Sequence, residues 1–166
     1  LRFLLVVLLL VAQQARADGK NVVLAACSAT YGPQWMRGND ANVPPNSTFH
    51  WAVAGKATDL CMNVEAWGRN AGDRIWVTDC KPEGPPHVLN RVWLLNPNQT
   101  IVNPVSHHGL DAKQGDKSVA GASTCLRSCS APDASKWEFD ELKGQIRSVS
   151  SGLCLTVVDH PSPLPT

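Results

Sequence analysis

Apolar positions along this chain fall into short runs, most of them alternating with polar residues, and each run ends in Gly, Pro, Asn or Asp. Three alternating runs end in Cys: Val22 to Cys27, Ile75 to Cys80 and Thr124 to Cys129. Three others open on a small apolar head and a turn: Leu60-Cys61-Met62-Asn63-Val64, Gly109-Leu110-Asp111-Ala112 and Leu153-Cys154-Leu155-Thr156-Val157. A β-type stretch precedes each head: Phe49-His50-Trp51, Thr100-Ile101-Val102 and Gln145 to Val149. A Trp closes each unit at positions 35, 93 and 137. Alternation over four to eight residues is the signature of half-buried strands, whereas a buried helix face needs a 3.6-residue period. No such period runs through the chain after its first residues. The pattern predicts about four short strands in each of three units, an all-β barrel with pseudo-threefold repeats. One unit alone cannot bury its apolar face, so the three must close on each other. The Trp of each unit belongs in the core, its indole covering strands of the neighbouring unit and its N–H finding one acceptor.

The N-terminus reads differently. Arg2 is followed by ten apolar residues, Phe3 to Ala12, and then by Ala15-Arg16-Ala17. A basic start, a short apolar run and a small-x-small site make residues 1–17 a secretory signal peptide. Ten residues cover about half of the roughly 20 that a membrane-spanning helix needs, so no membrane span is expected in the mature chain. Secretion implies an oxidising compartment, where six Cys suggest disulfides. The sequons at Asn46 and Asn98 suit the same route as N-glycosylation sites. The Cys spacings lack a zinc pattern: there is no C-x-x-C, and Cys125-x-x-x-Cys129 has no second ligand pair nearby. His107-His108 would point to opposite faces of a strand and share no metal. No cofactor is expected.

Composition removes other classes. Charged residues are 17% and the formal net charge is +1, which leaves no electrostatic footprint for nucleic acid. Six of the ten aromatic residues are Trp. No nucleophile elbow or other catalytic signature occurs, and nothing nominates a carboxylate pair of the glycosidase kind. The chain is therefore expected to be non-catalytic.

The three units together resemble the ricin B-type (R-type) lectin β-trefoil, whose units carry Cys-Leu-Asp-Val, then a strand ending in Cys, then Gln-x-Trp. The best match is Leu60-Cys61-Met62-Asn63-Val64, then Arg74-Ile75-Trp76-Val77-Thr78-Asp79-Cys80, then Asn90-Arg91-Val92-Trp93. The second unit has Leu110-Asp111-Ala112, Cys129 and Ser135-Lys136-Trp137. The third is divided: its tail, Val22 to Cys27 and Pro33-Gln34-Trp35, comes first and its head, Leu153 to Val157, comes last. The resemblance implies a β-trefoil over residues 18–160 with one repeat split between the N- and C-termini. It implies disulfides Cys61–Cys80 and, if the two ends meet, Cys27–Cys154. With Gly109 standing where the second unit's head Cys would be, a local Cys125–Cys129 bond is the economical remaining pairing, though side chains four apart on a regular strand do not meet. Residues 161–166 form a Pro-rich tail or the start of a linker, and the rival reading is a catalytic domain attached beyond it.

The resemblance also implies a function, namely recognition of galactose-type or related glycans on glycoproteins. In that chemistry a carboxylate accepts from two sugar hydroxyls, an amide binds a third and an aromatic ring stacks on the apolar sugar face. Asp111 matches the carboxylate in the second unit, with Arg127 at the aromatic position and Ala134 at the amide position. In the first unit Asn63 stands at the carboxylate position and Asn90 at the amide position; Thr78 stands at the usual aromatic position, Trp76 falls where a Gln is usual, and Trp67 supplies a ring instead. The split unit has Thr156 and Ala25 instead. No unit carries the full set, so a sugar-blind trefoil used for protein contact, or the targeting module of a secreted glycoside hydrolase, stays open as an alternative. Asp111, Asn63 and Asn90 also suit plain turn roles, and Trp76 suits packing.

Overall fold

The computed structural model describes residues 20–27, 35–40, 42–53, 56–80, 87–113, 118–129 and 133–158. The leader at 1–17 and the tail at 161–166 lie outside them, as do Pro33 and Gln34. Twelve strands follow in chain order: β1 (Lys20–Ala25), β2 (Trp35–Gly38), β3 (Thr48–Val53), β4 (Lys56–Val64), β5 (Ile75–Asp79), β6 (Leu94–Leu95), β7 (Ile101–Asn103), β8 (His108–Ala112), β9 (Thr124–Ser128), β10 (Trp137–Asp140), β11 (Gln145–Ser148) and β12 (Cys154–Val158). Two 3-10 turns, Glu65–Trp67 and His87–Arg91, are the only helical elements among the described residues, and no helix there is long and apolar enough to cross a membrane.

The strands obey one threefold rule. β2-β3-β4-β5 and β6-β7-β8-β9 are antiparallel meanders, and β10-β11-β12 continues onto β1, the first strand of the chain. Residues Asn21 to Ala25 run in register against Val158 to Cys154. That alignment matches Leu60 to Val64 against Asp79 to Ile75 and His108 to Ala112 against Ser128 to Thr124. The last strand of each unit also touches the next unit around the axis. Asn21 pairs with Trp76, Arg74 bridges to Cys125, and Ser123 bridges to Val23. This closed threefold arrangement is a β-trefoil, with one repeat shared between the two ends of the chain.

The register follows from side-chain parity. A one-residue slip would turn every core residue of a strand outward, so the apolar alternation fixes the pairing. Equivalent positions then stack in threes inside the barrel: Phe49, Ile101 and Ile146; Met62, Leu110 and Leu155; Val77, Leu126 and Leu24, all buried. Thr124 occupies the place of Ile75 and Val22, and its buried hydroxyl donates to the Val22 carbonyl at 3.0 Å. Trp35, Trp93 and Trp137 are at most 1% exposed. Their Nε1 groups donate to Leu155, Met62 and Leu110 carbonyls at 2.9, 3.0 and 2.8 Å, which are three equivalent positions. Each acceptor lies in a head strand, β12, β4 and β8 respectively, and the Trp follows that unit's Cys-ended strand. Each Trp amide N–H also donates across, to Gly144, Ser47 and Gln99.

Disulfides join Cys27 to Cys154 and Cys61 to Cys80 at equivalent places. The expected Cys125–Cys129 bond does not form, and both residues are thiols. They sit four positions apart along an extended strand, about 13 Å, whereas disulfide Cα atoms lie about 4.4–6.8 Å apart. Cys129 is the counterpart of Cys80 and Cys27, and its Sγ points at Gly109: a Cβ built on Gly109 would lie 2.8 Å from it.

Candidate functional site

The threefold register gives each unit an equivalent candidate position on its head strand: Asn63, Asp111 and Thr156. In the second unit the pocket is built around Asp111 on β8. Asp111 is 1% exposed, and its charge is already claimed. The Ser135 hydroxyl donates to Oδ1, and Arg127 Nη1 stands 3.6 Å from Oδ2. Arg127 occupies the position expected for a stacking ring, and its Nη2 binds Asp133 at 2.6 Å. The recess left between Gly109, Asp111, Arg127, Ala134 and Ser135 holds about 10 Å³. That is room for about one water molecule and far too little for a sugar ring. In the split unit the equivalent of Asp111 is Thr156, across from Val23, and offers no carboxylate or amide.

The first unit is different. Asn63 on β4 is 8% exposed, and its Oδ1 is shielded without a protein partner. Trp76 on β5 lies directly across from Asn63, and Asn21 on β1 lies across from Trp76. Directly opposed residues of antiparallel strands project from the same face. Trp76 Nε1 and Asn21 Oδ1 are likewise shielded and without a protein partner. The 3-10 turn His87–Arg91 packs on β4 and carries Asn90, 3% exposed, whose Nδ2 is in the same condition. Leaving a buried donor or acceptor unsatisfied costs about 1–3 kcal/mol each. One patch thus gathers two acceptors and two donors that the fold itself does not satisfy.

Trp67 lies three residues past the end of β4, the strand that carries Asn63. It is 45% exposed. Ala66 and Trp67 have φ of 49° and 60°, a left-handed pair that non-Gly residues rarely adopt. A fork of hydrogen bonds holds the turn: Arg74 Nε and Nη2 donate to Glu65 at 2.7 and 2.5 Å, and Glu65 N donates to the Arg74 carbonyl at 2.9 Å. The Glu65 carboxylate pushes the Arg74 guanidinium further up from its usual range. Strained backbone persists only where surroundings over-determine it, and it clusters at ligand sites.

The other singled-out positions are structural or peripheral. Asn46 and Asn98 are exposed, while Thr48 and Thr100 of their sequons are buried. Asn98 Oδ1 accepts from the Thr100 backbone N–H at 3.2 Å, an Asx turn, and from the Thr100 hydroxyl at 2.7 Å. His108 Nδ1 lies 2.6 Å from the Ser106 carbonyl. A wider cleft of about 480 Å³ opens between the first and second units, lined by Gly72, Arg74, Lys113, Ser123, Cys125 and Arg127. Its two guanidiniums are already held by Glu65 and Asp133.

The decisive comparison is with families. A model of the ricin-type beta-trefoil lectin domain matches residues 7–130. The chain belongs to the ricin-type β-trefoil lectin family. No curated protein is similar enough to match it. Membership makes carbohydrate binding the general function of this lectin domain, and gives meaning to the register. One contributor escapes the sequence: Asn21 joins the row only because the split repeat closes. Arg127, expected at the ring position, pairs instead with Asp111 and Asp133.

Proposed function

We infer that this chain is a secreted, non-catalytic module that recognises galactose-type or related glycans through the pocket of its first unit. The observation that supports this reading is the set of unsatisfied polar atoms on Asn63, Asn90, Trp76 and Asn21. A sugar hydroxyl donates and accepts at once, so neighbouring hydroxyls satisfy amide oxygens and N–H groups together. The exposed ring of Trp67 supplies an apolar face for stacking. With Asn in place of a carboxylate, the hydrogen bonds are neutral, roughly half as strong as charge-assisted ones. A single pocket is therefore weak, and presentation in multiple copies raises the avidity.

The test is titration of the protein with galactose and lactose, after a glycan array has named its best ligand. Each Asn contributes about 1 kcal/mol, so changing both Asn63 and Asn90 to Ala weakens binding tenfold or more. Asp111→Ala leaves affinity unchanged, because its carboxylate is committed inside the fold. Binding that survives the double Asn change but fails on Asp111→Ala would sink this assignment. One observation favours a second reading: the Asp111 pocket is closed by Arg127 and Ser135, as a trefoil used only for protein contact would allow. An empty glycan array would favour that reading.

A further inference from the structure

The wide cleft between the first and second units is lined by three cations, Arg74, Lys113 and Arg127, and by no acid. Glu65 and Asp133, which hold the two guanidiniums, are not part of its lining. A guanidinium carries several N–H groups in a planar fork. Arg74 spends Nε and Nη2 on Glu65, and its Nη1 bonds to no described residue. Arg127 is committed to Asp133 and Asp111 and forms one wall. Lys113 is exposed, and its ammonium forms no ion pair among the described residues. Its backbone N–H donates to the Ser123 carbonyl at 2.9 Å, and Ser123 adds a half-buried hydroxyl to the lining.

The threefold register shows that the barrel does not need this charge. At the three junctions between units, Arg74 bridges to Cys125, Ser123 bridges to Val23, and Asn21 pairs with Trp76. Lys113 and Arg127 correspond to Val158 and Ala25 at the second junction, and to Glu65 and Thr78 at the third. At these positions the first junction gathers three cations, the second has no charged side chain and the third has a single acid. All three junctions close, so the cations of the first are surplus to packing. Like charges gathered on one recess repel, and a bound anion relieves that repulsion.

We propose that this junction is a second ligand site, which takes the oxyanion of an acidic saccharide, a sulfate ester or a carboxylate, between the Lys113 ammonium and the uncommitted edge of Arg74. Its volume of about 480 Å³ lies within the roughly 300–1,000 Å³ of small-ligand sites. The occupant is a saccharide because the chain is a lectin-family domain. The site is separate from the first-unit pocket and does not rest on it. No aromatic ring lines the cleft, so a neutral sugar finds nothing to stack on. Affinity comes instead from charge-assisted hydrogen bonds, roughly twice as strong as neutral ones, while the Ser123 hydroxyl meets a sugar hydroxyl. Lys113 is exposed, so salt screens the attraction.

The experiment titrates the full chain with galactose-6-sulfate, galacturonic acid, galactose and inorganic sulfate, and follows the backbone amide NMR signals. The expected result is that an acidic sugar shifts the signals of Lys113, Ser123 and Cys125, binds more tightly than galactose or inorganic sulfate, and weakens as NaCl rises. Preference for the sulfate ester or for the uronate names the source of the oxyanion. Lys113→Ala weakens that binding about tenfold and Lys113→Glu abolishes it, and neither changes galactose binding. Changing Asn63 and Asn90 to Ala leaves acidic-sugar binding intact, which separates this site from the first-unit pocket. Acidic sugars no tighter than galactose, shifts confined to Asn63 and Trp76, or binding indifferent to Lys113→Ala overturn the proposal. Inorganic sulfate bound as tightly as either acidic sugar means an adventitious ion only, and overturns it too.

Discussion

The first and second units share a backbone register but have made opposite use of the same positions. Where the first unit has the Cys61–Cys80 bond, the second has Gly109 facing the Cys129 thiol. Where the first leaves Asn63 Oδ1 and Asn90 Nδ2 without a protein partner, the second commits Asp111 to Arg127 and Ser135. The unit that best fits the family's sugar-binding motif by its carboxylate is thus the one whose pocket is full. The unit that lost the carboxylate keeps uncommitted polar atoms and a projecting Trp67. A motif residue marks a binding site only when nothing else in the fold has already satisfied it.

The comparison assumes that the framework is common to both units, and its largest test addresses that assumption. Trp93 and Trp137 are equally buried and make the same Nε1 bond to the head strand. Trp93→Ala and Trp137→Ala should each cost about 3–5 kcal/mol of stability. Urea unfolding measures both. Unequal losses, with one variant near wild type, would break the claim of a shared barrel.

The next test rebuilds the missing bond. A Cβ on Gly109 would sit 2.8 Å from Cys129 Sγ, close to the ~3 Å separation that disulfide geometry sets between one Cβ and the partner sulfur. Gly109→Cys should close a third bond with Cys129 and raise stability by up to about 3 kcal/mol in the chain-entropy model for a loop of about 19 residues. Loss of two hydrogens by intact mass and a higher Tm report it. If Gly109→Cys instead stays reduced in air, the two units differ in backbone as well as in side chain.

Much of this contrast was legible in the sequence. Triplicated heads, Cys-ended strands and spaced Trp residues pointed to a pseudo-threefold barrel, because period-2 alternation leaves only one register that buries every unit's apolar face; the β-trefoil itself was what the family resemblance implied. The joining of Val22–Cys27 to Leu153–Val157 followed from counting three heads against three tails. The state of the pockets was not legible. Whether Asp111 is open depends on how far Arg127 and Ser135 reach, and these contacts join residues up to 24 positions apart. Asn21 could not be assigned to the first pocket, because its neighbour Trp76 is reached only through the barrel's closure. The Cys125–Cys129 pairing failed for a local reason, the length of an extended strand.

Arg127→Ala sharpens the contrast at the pocket itself. It leaves the buried Asp111 without its guanidinium and releases Asp133, so a loss of about 1–3 kcal/mol is expected. Glycan affinity should not change, since Ala134 still stands where an amide is needed. A gain in galactose binding by Arg127→Ala would mean that the second pocket is gated rather than dismantled.

The smallest effect concerns the thiol that the second unit keeps. Burial raises the Cys129 pKa above its ordinary value, with the nearby Asp111 charge adding to the rise and Lys136 opposing it. The thiolate is the reactive form, so at pH 8 Cys129 should alkylate more slowly than a cysteine in an unfolded peptide. Denaturant should remove the difference. The sign for stability follows from the same shift: the folded chain holds this proton more tightly than the unfolded one. Its contribution is complete below the unfolded thiol pKa and is lost as pH rises through the folded value. Cys129→Ser should therefore flatten the alkaline limb of the stability profile slightly, while a profile unchanged from wild type would mean that burial does not set the thiol apart. Because Cys80, at the same place in the first unit, is held in a disulfide, this titration belongs to the second unit alone among the two.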